Sequence, residues 1–283
     1  MPTKELKAGL NLTKAEKYEK LCDIFNRMGS AVIAYSGGVD SSFLVAAAWD
    51  ALKDRGGKVL AVTARSSTYP ENEFLQALDI IQKIGAPHRA IVSEELDIPG
   101  YADNPPDRCF FCKGELFGIL SKIAKDEGYA FVCDGANMDD LGDYRPGRKA
   151  AAEQGVRSPL IEAGFSKEDI RHHAQRLGLP NWDKPAAACL ASRFPYGVKI
   201  TAEKLSRVEQ AENILKKAGY RQLRVRDHNG IARIEIAQSE LATFMADPRY
   251  AGLAASIKAL GFTYVTLDLE GYRTGSLNIF KTE

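Results

Sequence analysis

Two sets of residues in this 283-residue chain have types and spacings suited to chemistry. The first is Ser36-Gly37-Gly38-Val39-Asp40-Ser41-Ser42, which follows an apolar run at 31–35 and opens a second apolar run reaching residue 51. A strand, a glycine turn and a helix start together make an anion site, because unpaired backbone amides and the positive end of the helix dipole meet at one spot. The glycines let a phosphate approach the backbone closely. The second set is cysteine. Cys109 and Cys112 stand in Arg-Cys-Phe-Phe-Cys-Lys at a predicted helix start, and Cys189 stands far away in Ala-Ala-Ala-Cys-Leu-Ala-Ser-Arg. The helix N-terminus, Arg108 and Lys113 favour the thiolate form of the first pair.

A lone CxxC serves as a redox pair, as half of a zinc site, or as two unrelated thiols. Structural zinc wants four Cys or His ligands, and Cys133, His172 and His173 are the remaining candidates. Three thiolates suit a different arrangement, a [4Fe–4S] cluster with one iron left open. Cys22 and Cys133 read as buried small hydrophobes.

Charged residues surround both sets. Arg65 to Thr68 follow the second predicted strand; Asp143, Tyr144, Arg145 and Arg148 follow the fourth, where arginines can neutralise phosphate or simply solvate a loop. Lys184 and Arg193 flank Cys189 and are candidates to bind a substrate carboxylate or phosphate. Arg224 and Arg226 are two apart on a predicted strand, so they share a face while Leu223 and Val225 share the other. Two guanidiniums on one face make a phosphate clamp or a solvated surface. Glu209 and Glu212, one helical turn apart, read as a surface face, with a subunit contact or a metal site as the alternative. The four histidines show no pairing that suggests catalysis.

The elements that must position these residues alternate. Helices are expected at 14–28, 42–54, 71–84 and 108–127, and strands at 31–35, 58–63, 88–92 and 129–133. That alternation predicts an α/β, doubly wound parallel sheet, with ligands at the carboxyl ends of its strands. Residues 134–148 read as a loop, and Ser166-Lys167-Glu168-Asp169 as a capping box opening a helix to 177. The remainder reads as a smaller α+β domain: a helix at 201–218, a hairpin turning at 227–230, helical segments near 240–245 and 253–260, and a strand at 262–268. The expected domains are 1–188 and 189–283.

Composition bounds the rest. The chain is 45% hydrophobic and 27% charged with a net charge of +1, so no global field argues for nucleic acid or an anionic membrane. No apolar run approaches the length that spans a bilayer. The charged start lacks a signal core, and five cysteines in such a chain argue against a disulfide framework, so the expected compartment is the cytoplasm.

The 36–42 segment lacks the Gly-Lys-Ser/Thr ending of the Walker loop. It resembles the pyrophosphate-binding loop (PP-loop) of the ATP pyrophosphatases. With SGGVDSS, RCFFCK, DGANMDDLGDYRPG, SPLIEAGFSKEDIR, WDKPAAACLASRFPYG, RVEQAE and RVRDHNGIARIEI, the chain resembles the LarE family of ATP-dependent sulfur transferases over nearly its whole length. The block around Cys189 is the most specific of these, since general PP-loop enzymes share SGGVDSS without it.

The resemblance implies a reaction and its cofactors. ATP adenylates the carboxylates of a pyridinium-3,5-biscarboxylic acid mononucleotide with release of pyrophosphate, and each becomes a thiocarboxylate of the nickel-pincer nucleotide used by lactate racemase. Ser36, Gly37, Gly38, Asp40, Ser41 and Ser42 are then expected to hold the β and γ phosphates. Asp40 would also hold Mg²⁺ through water, its plainer role being an N-cap. Arg65 would face adenosine, and Arg224 and Arg226 would take the substrate's phosphate. One branch of the family sacrifices the sulfur of the cysteine matching Cys189. Another holds a [4Fe–4S] cluster on three cysteines and carries extra sulfide on the open iron. Cys109, Cys112 and Cys189 place this chain with the second. The resemblance also implies a sulfide donor and a homo-oligomer, and the net charge of +1 leads to the expectation of no nucleic-acid partner.

Overall fold

The computed structural model describes residues 12–142, 146–185 and 188–273. The chain divides into two units, one of Met1–Ser66, Glu71–Ser93 and Asp107–Ala187, the other of Ser67–Pro70, Glu94–Pro106 and Ala188–Glu283.

The first unit runs α1 (Lys14–Met28), β1 (Ser30–Ala34), α2 (Val39–Leu52), β2 (Lys58–Arg65), α3 (Glu71–Ile84), β3 (His88–Val92), α4 (Arg108–Glu127), β4 (Phe131–Cys133), α5 (Pro146–Glu153), α6 (Pro159–Ala163) and α7 (Lys167–Arg176). Its described strands form one parallel sheet in the order β3-β2-β1-β4, and a bridge from Cys133 to Arg157 adds a rung beyond β4. The sheet is covered on both faces, which is why its strands are apolar runs rather than alternating ones. Ala31, Ile33, Val59 and Ala61 enter one core with residues of α1, α2, α3, α6 and α7, including Phe25, Phe43, Ala77, Leu160 and Ile170. Val32, Leu60, Val62 and Val132 enter the other with Phe117, Leu120 and Ala124 of α4 and Ala151 of α5. The doubly wound expectation therefore holds. Because strand order reverses about β1, the crevice outside the carboxyl ends of β1 and β4 is the switch point where such sheets take ligands.

Two local expectations are corrected. Helix α2 starts at Val39 rather than 42, because Gly38 is its N-cap in extended backbone. Asp40 is therefore not the N-cap; it lies in the first turn, where a carboxylate suits the helix dipole. The stretch expected as a loop or short turn at 134–148 ends in a helix, α5 opening on Pro146-Gly147, and a further short helix beyond it, α6, opens on Pro159. Both are short helices whose packing overrides weak propensity.

The second unit holds α8 (Ala202–Lys217), β5 (Leu223–His228), β6 (Ile231–Ile236), α9 (Leu241–Ala246), α10 (Tyr250–Lys258) and β7 (Tyr264–Leu267). Strand β6 pairs antiparallel with β5 and parallel with β7. The hairpin turns on Asn229 and Gly230, with φ of 51° and 91°, the left-handed pair that a two-residue turn of this kind requires. No helix among the described residues is long and apolar enough to cross a membrane.

Candidate functional site

The phosphate corner leaves the carboxyl end of β1 at the switch point. Gly37 has φ of 64°, and a Cβ there would lie 2.5 Å from the Cβ of Ala77 on α3, so the position excludes side chains twice over. Gly38 caps α2 with no side chain, and the first-turn amides have no acceptor within the helix. Gly135, just past β4, sits so close that a Cβ would meet the Ser41 amide nitrogen at 3.1 Å. The corner is thus walled by α3 on one side and by the segment after β4 on the other.

The hydroxyls of Ser41 and Ser42 are hydrogen-bonded within the protein. Ser41 Oγ accepts from the Ser36 amide at 3.2 Å and donates to the Gly38 carbonyl at 3.1 Å. Ser42 is fully buried, and its amide donates to the Gly38 carbonyl at 3.0 Å. Its hydroxyl accepts from Asn181 Nδ2 at 3.0 Å and lies against the Tyr35 phenol. Tyr35 donates its own proton to the Ala77 carbonyl at 2.9 Å, so Ser42 is the donor in the bond between them. Burial pushes the Tyr35 phenol up to about 12. Ser42 therefore braces the loop from behind.

Two residues that carry no functional signal in the sequence complete this corner. Asn181, buried to 4% exposure, donates from Nδ2 to the Gly37 carbonyl at 2.9 Å as well as to Ser42, and its Oδ1 is buried with no hydrogen-bond partner among the described residues. Lys167, the first residue of α7, places Nζ 2.5 Å from Asp40 Oδ2, while its amide donates to Asp139 Oδ2 at 2.9 Å. A cation thus stands at the carboxylate of the anion loop. Past β4, Asp134 Oδ1 accepts from the Ser158 hydroxyl at 2.7 Å.

Other candidates in this unit are placed as follows. Arg65, at the end of β2, gives both Nη2 contacts to Glu71 at 3.1 Å and stacks over Phe74. Lys184 Nζ lies 2.5 Å from Glu73 Oε2 and 2.8 Å from Gln76 Oε1, both on α3. Arg148 donates to the Asp140 carbonyl at 3.3 Å. Asp143, Tyr144 and Arg145 lie outside the described residues.

Cys109 and Cys112 fall in the first turns of α4, with Cys109 exposed and Cys112 partly so. Three residues apart on a helix, they share a face with roughly 5–6 Å between Cβ atoms. Helix α4 spans 20 residues, or about 30 Å, and ends at Gly128 just before β4. Its N-terminus therefore faces the carboxyl edge of the sheet, the same edge as the phosphate corner. Gly147 of α5 closes on this turn, where a Cβ would meet Lys113 Cγ at 2.8 Å. Cys133 is buried at the end of β4 and burial pushes its thiol far up, which suits an inert core residue. Cys22 is half-buried beside Tyr18, and its thiol is raised mainly by burial.

In the second unit Cys189 is the N-cap of a single turn, Leu190–Arg193, and is partly exposed. The Leu190 amide hangs this turn on the Thr68 carbonyl at 2.8 Å. Arg193 is only 2% exposed and makes a two-pronged pair with Glu212, Nε to Oε1 at 2.8 Å and Nη2 to Oε2 at 3.0 Å. Glu212 is 1% exposed, which corrects the surface-face reading. Burial alone would raise its carboxyl, but Arg193, Arg224 and Lys216 outweigh that and hold it below the usual carboxylate range. Arg226 is buried as well, which excludes the alternative of a solvated face: Nη2 reaches Glu235 Oε2 and Nη1 donates to the Ser192 carbonyl, each at 2.8 Å. Arg224 stacks over the Tyr272 ring and donates Nη1 to its own Leu223 carbonyl. Burial, then the neighbouring Arg193, lower its pKa, so an added anion here would meet a poorly solvated cation.

None of the five cysteines is in a disulfide, and the thiols of Cys109, Cys112 and Cys189 are the right donor chemistry for an iron–sulfur cluster. The pair on α4 fits one side of such a site. Among the described residues no three His, Cys, Asp or Glu are already gathered as a metal site.

No family model matches the chain. It is 47% identical over 262 residues to an uncharacterized protein of Synechocystis, covering 93% of this chain and 97% of the relative. It is 38% identical over 268 residues to the pyridinium-3,5-bisthiocarboxylic acid mononucleotide synthase of Lactiplantibacillus plantarum, covering 94% of this chain and 95% of the relative. A more distant likeness, 24% over 208 residues, joins 67% of the chain to 52% of a probable tRNA sulfurtransferase of Methanothermobacter thermautotrophicus.

Proposed function

The chain belongs to the family of pyridinium-3,5-bisthiocarboxylic acid mononucleotide synthases, enzymatic sulfurtransferases, and we propose that it converts the two carboxylates of the pyridinium-3,5-biscarboxylic acid mononucleotide to thiocarboxylates for the lactate racemase cofactor. The observation that carries this reading is the 36–42 corner, a glycine turn at the switch point whose first-turn amides have no acceptor within the helix. ATP seats its β and γ phosphates there. A substrate carboxylate oxygen attacks the α-phosphorus, the bond to the β-phosphate oxygen breaks, and pyrophosphate leaves. The amides of α2 and Lys167 take the charge that develops on the leaving group. Asp40 would hold hydrated Mg²⁺, which when bound would supply further neutralisation of the leaving pyrophosphate.

A sulfur nucleophile then attacks the acyl carbon of the adenylate and AMP leaves. Cys109, Cys112 and Cys189 would hold the [4Fe–4S] cluster, which when bound supplies an open iron able to carry that sulfide. Arg224 takes the phosphate of the mononucleotide. The sulfide comes from an external donor, and the chain works as a homo-oligomer.

The test is an anaerobic preparation incubated with Mg²⁺, ATP and the pyridinium dicarboxylate. The expected results are pyrophosphate and AMP release, about four iron and four sulfide per chain, and an unchanged Cys189 mass after turnover. Iron-free protein whose Cys189 loses one sulfur mass would replace the cluster route with sacrifice of that residue. No pyrophosphate release with this substrate would sink the reading altogether.

A further inference from the structure

The turn that carries Cys189 is built on an ion pair, and this gives Arg193 a role other than substrate binding. One nitrogen of its guanidinium, Nη1, donates to the Ala188 carbonyl at 2.8 Å, to the Cys189 carbonyl at 3.0 Å, and to Ser192 Oγ at 3.1 Å. The Cys189 carbonyl also accepts from the Ser192 hydroxyl at 2.8 Å. The opposite edge of the guanidinium is held by both oxygens of Glu212, whose Oε1 accepts in addition from the Val225 amide of β5 at 3.2 Å. The side chains of the pair are 3% and 2% exposed. Arg226 grips the next carbonyl, that of Ser192, from Glu235, which is itself fully buried.

A guanidinium has five N–H donors, and the contacts above engage both its edges, so a substrate anion would have to displace Glu212 or two backbone carbonyls. A buried pair of this kind is weak evidence for stability, since desolvating two charges offsets most of their attraction. What it supplies is geometry. The carbonyls of residues 188 and 189 belong to the two peptide planes on either side of Cys189. Holding both from one nitrogen fixes φ and ψ of that residue, here −59° and 153°, and with them the direction of its Cα–Cβ bond.

Building on the sulfur-transfer reading, we propose that Arg193 and Glu212 are positioning residues that aim the Cys189 sulfur, and that neither touches substrate. The test compares Glu212→Gln, Arg193→Lys and Ser192→Ala with the parent, all as full chains. Three quantities are read: pyrophosphate release, thiocarboxylate formed per chain, and the rate at which iodoacetamide alkylates Cys189, followed by peptide mass spectrometry at one fixed pH. Glu212→Gln is expected to keep pyrophosphate release within about twofold while thiocarboxylate yield falls at least tenfold, which is about 1.4 kcal/mol. Its Cys189 alkylation rate should change by a similar factor. Arg193→Lys should act in the same direction. Ser192→Ala, which removes one contact to the Cys189 carbonyl and leaves the pair intact, should give a smaller effect and covers the case in which the ion-pair variants do not fold. Equal losses of pyrophosphate and thiocarboxylate, or normal yield with unchanged alkylation, would overturn the assignment. Absent pyrophosphate release in the parent would refute the sulfur-transfer reading instead, and the alkylation rates would still decide this one.

Discussion

Replacing Asn181 tests whether the phosphate loop is set by hydrogen bonding from behind. The side chain reaches Gly37 across 144 residues of sequence and donates to its carbonyl at 2.9 Å and to the Ser42 hydroxyl at 3.0 Å. Leucine has the same branched shape with bulkier tips and no donor. Asn181→Leu would leave the Gly37 carbonyl buried without a partner, at a cost of about 1–3 kcal/mol. Ser42 keeps its bond to Tyr35, so its loss is smaller. Taking about 2 kcal/mol, the native loop geometry becomes roughly 30-fold less favourable. The KM for ATP in the pyrophosphate-release assay should rise by about that factor, with the KM for the mononucleotide unchanged.

Asn181→Ala supplies the contrast. It vacates roughly the volume of one water, about 30 Å³, in a polar pocket, so a water can replace the lost donor. Alanine should therefore be milder than leucine, the reverse of what lost packing would give. An alanine variant worse than the leucine one, or KM for ATP unmoved in both, would refute the argument.

Three further outcomes are expected. Gly37→Ala should lose more than tenfold in pyrophosphate release, since the left-handed backbone costs an alanine about 1–2 kcal/mol and its Cβ would lie 2.5 Å from that of Ala77; adding Ala77→Gly should restore part of the loss and not all, as read by the same assay. Lys167→Met should lower kcat/KM for ATP at least tenfold while Tm moves within about 3 °C, because a half-exposed pair contributes about 0–1 kcal/mol; parallel falls in Tm and activity would make the Lys167 contact with Asp40 merely structural. Burial lowers the pKa of His88, His173 and His228, so each stays neutral in the folded chain where the unfolded chain is protonated. Their stabilisation is complete above an unfolded pKa of about 6.5 and is lost as pH falls through the lower folded values. Urea midpoints should therefore drop between about pH 7.5 and about pH 5.5, and a flat profile would contradict it.

The sheet was legible because its strands are apolar on both faces and its helices end at glycines, signals that sit within ten or twenty residues. The corner was legible for the same reason: Gly37 and Gly38 stand between a strand run and a helix run. What was not legible depends on distant partners. Nothing near Lys167 in sequence indicates that it meets Asp40, 127 residues away, and the same is true of Asn181 and Gly37. Glu212 read as surface because its helix has polar residues on several sides, whereas the deciding partner, Arg193, lies in an irregular turn without periodicity. Helix α2 began three residues early because an N-cap glycine offers no side-chain signal, only a backbone angle.

Burial also sorts the residues that the motifs had grouped. Ser42, Arg193 and Arg226 belong to segments rich in chemistry, yet each is at most 6% exposed and directs its donors into the protein. A buried donor satisfied by its own chain cannot also take a ligand without leaving its partner unsatisfied, at a cost of about 1–3 kcal/mol. Such residues shape the site. The first-turn amides of the corner, by contrast, have no acceptor within the helix. Gly37 is tightly specified, against Ala77 on one side and by its own φ, and the hydroxyls of Ser41 and Ser42 are bonded to the chain around it. A loop whose ligands are amides depends on the conformation of the chain more than on the identity of its hydroxyls. Residues as remote in sequence as Asn181 therefore set the conformation of the loop.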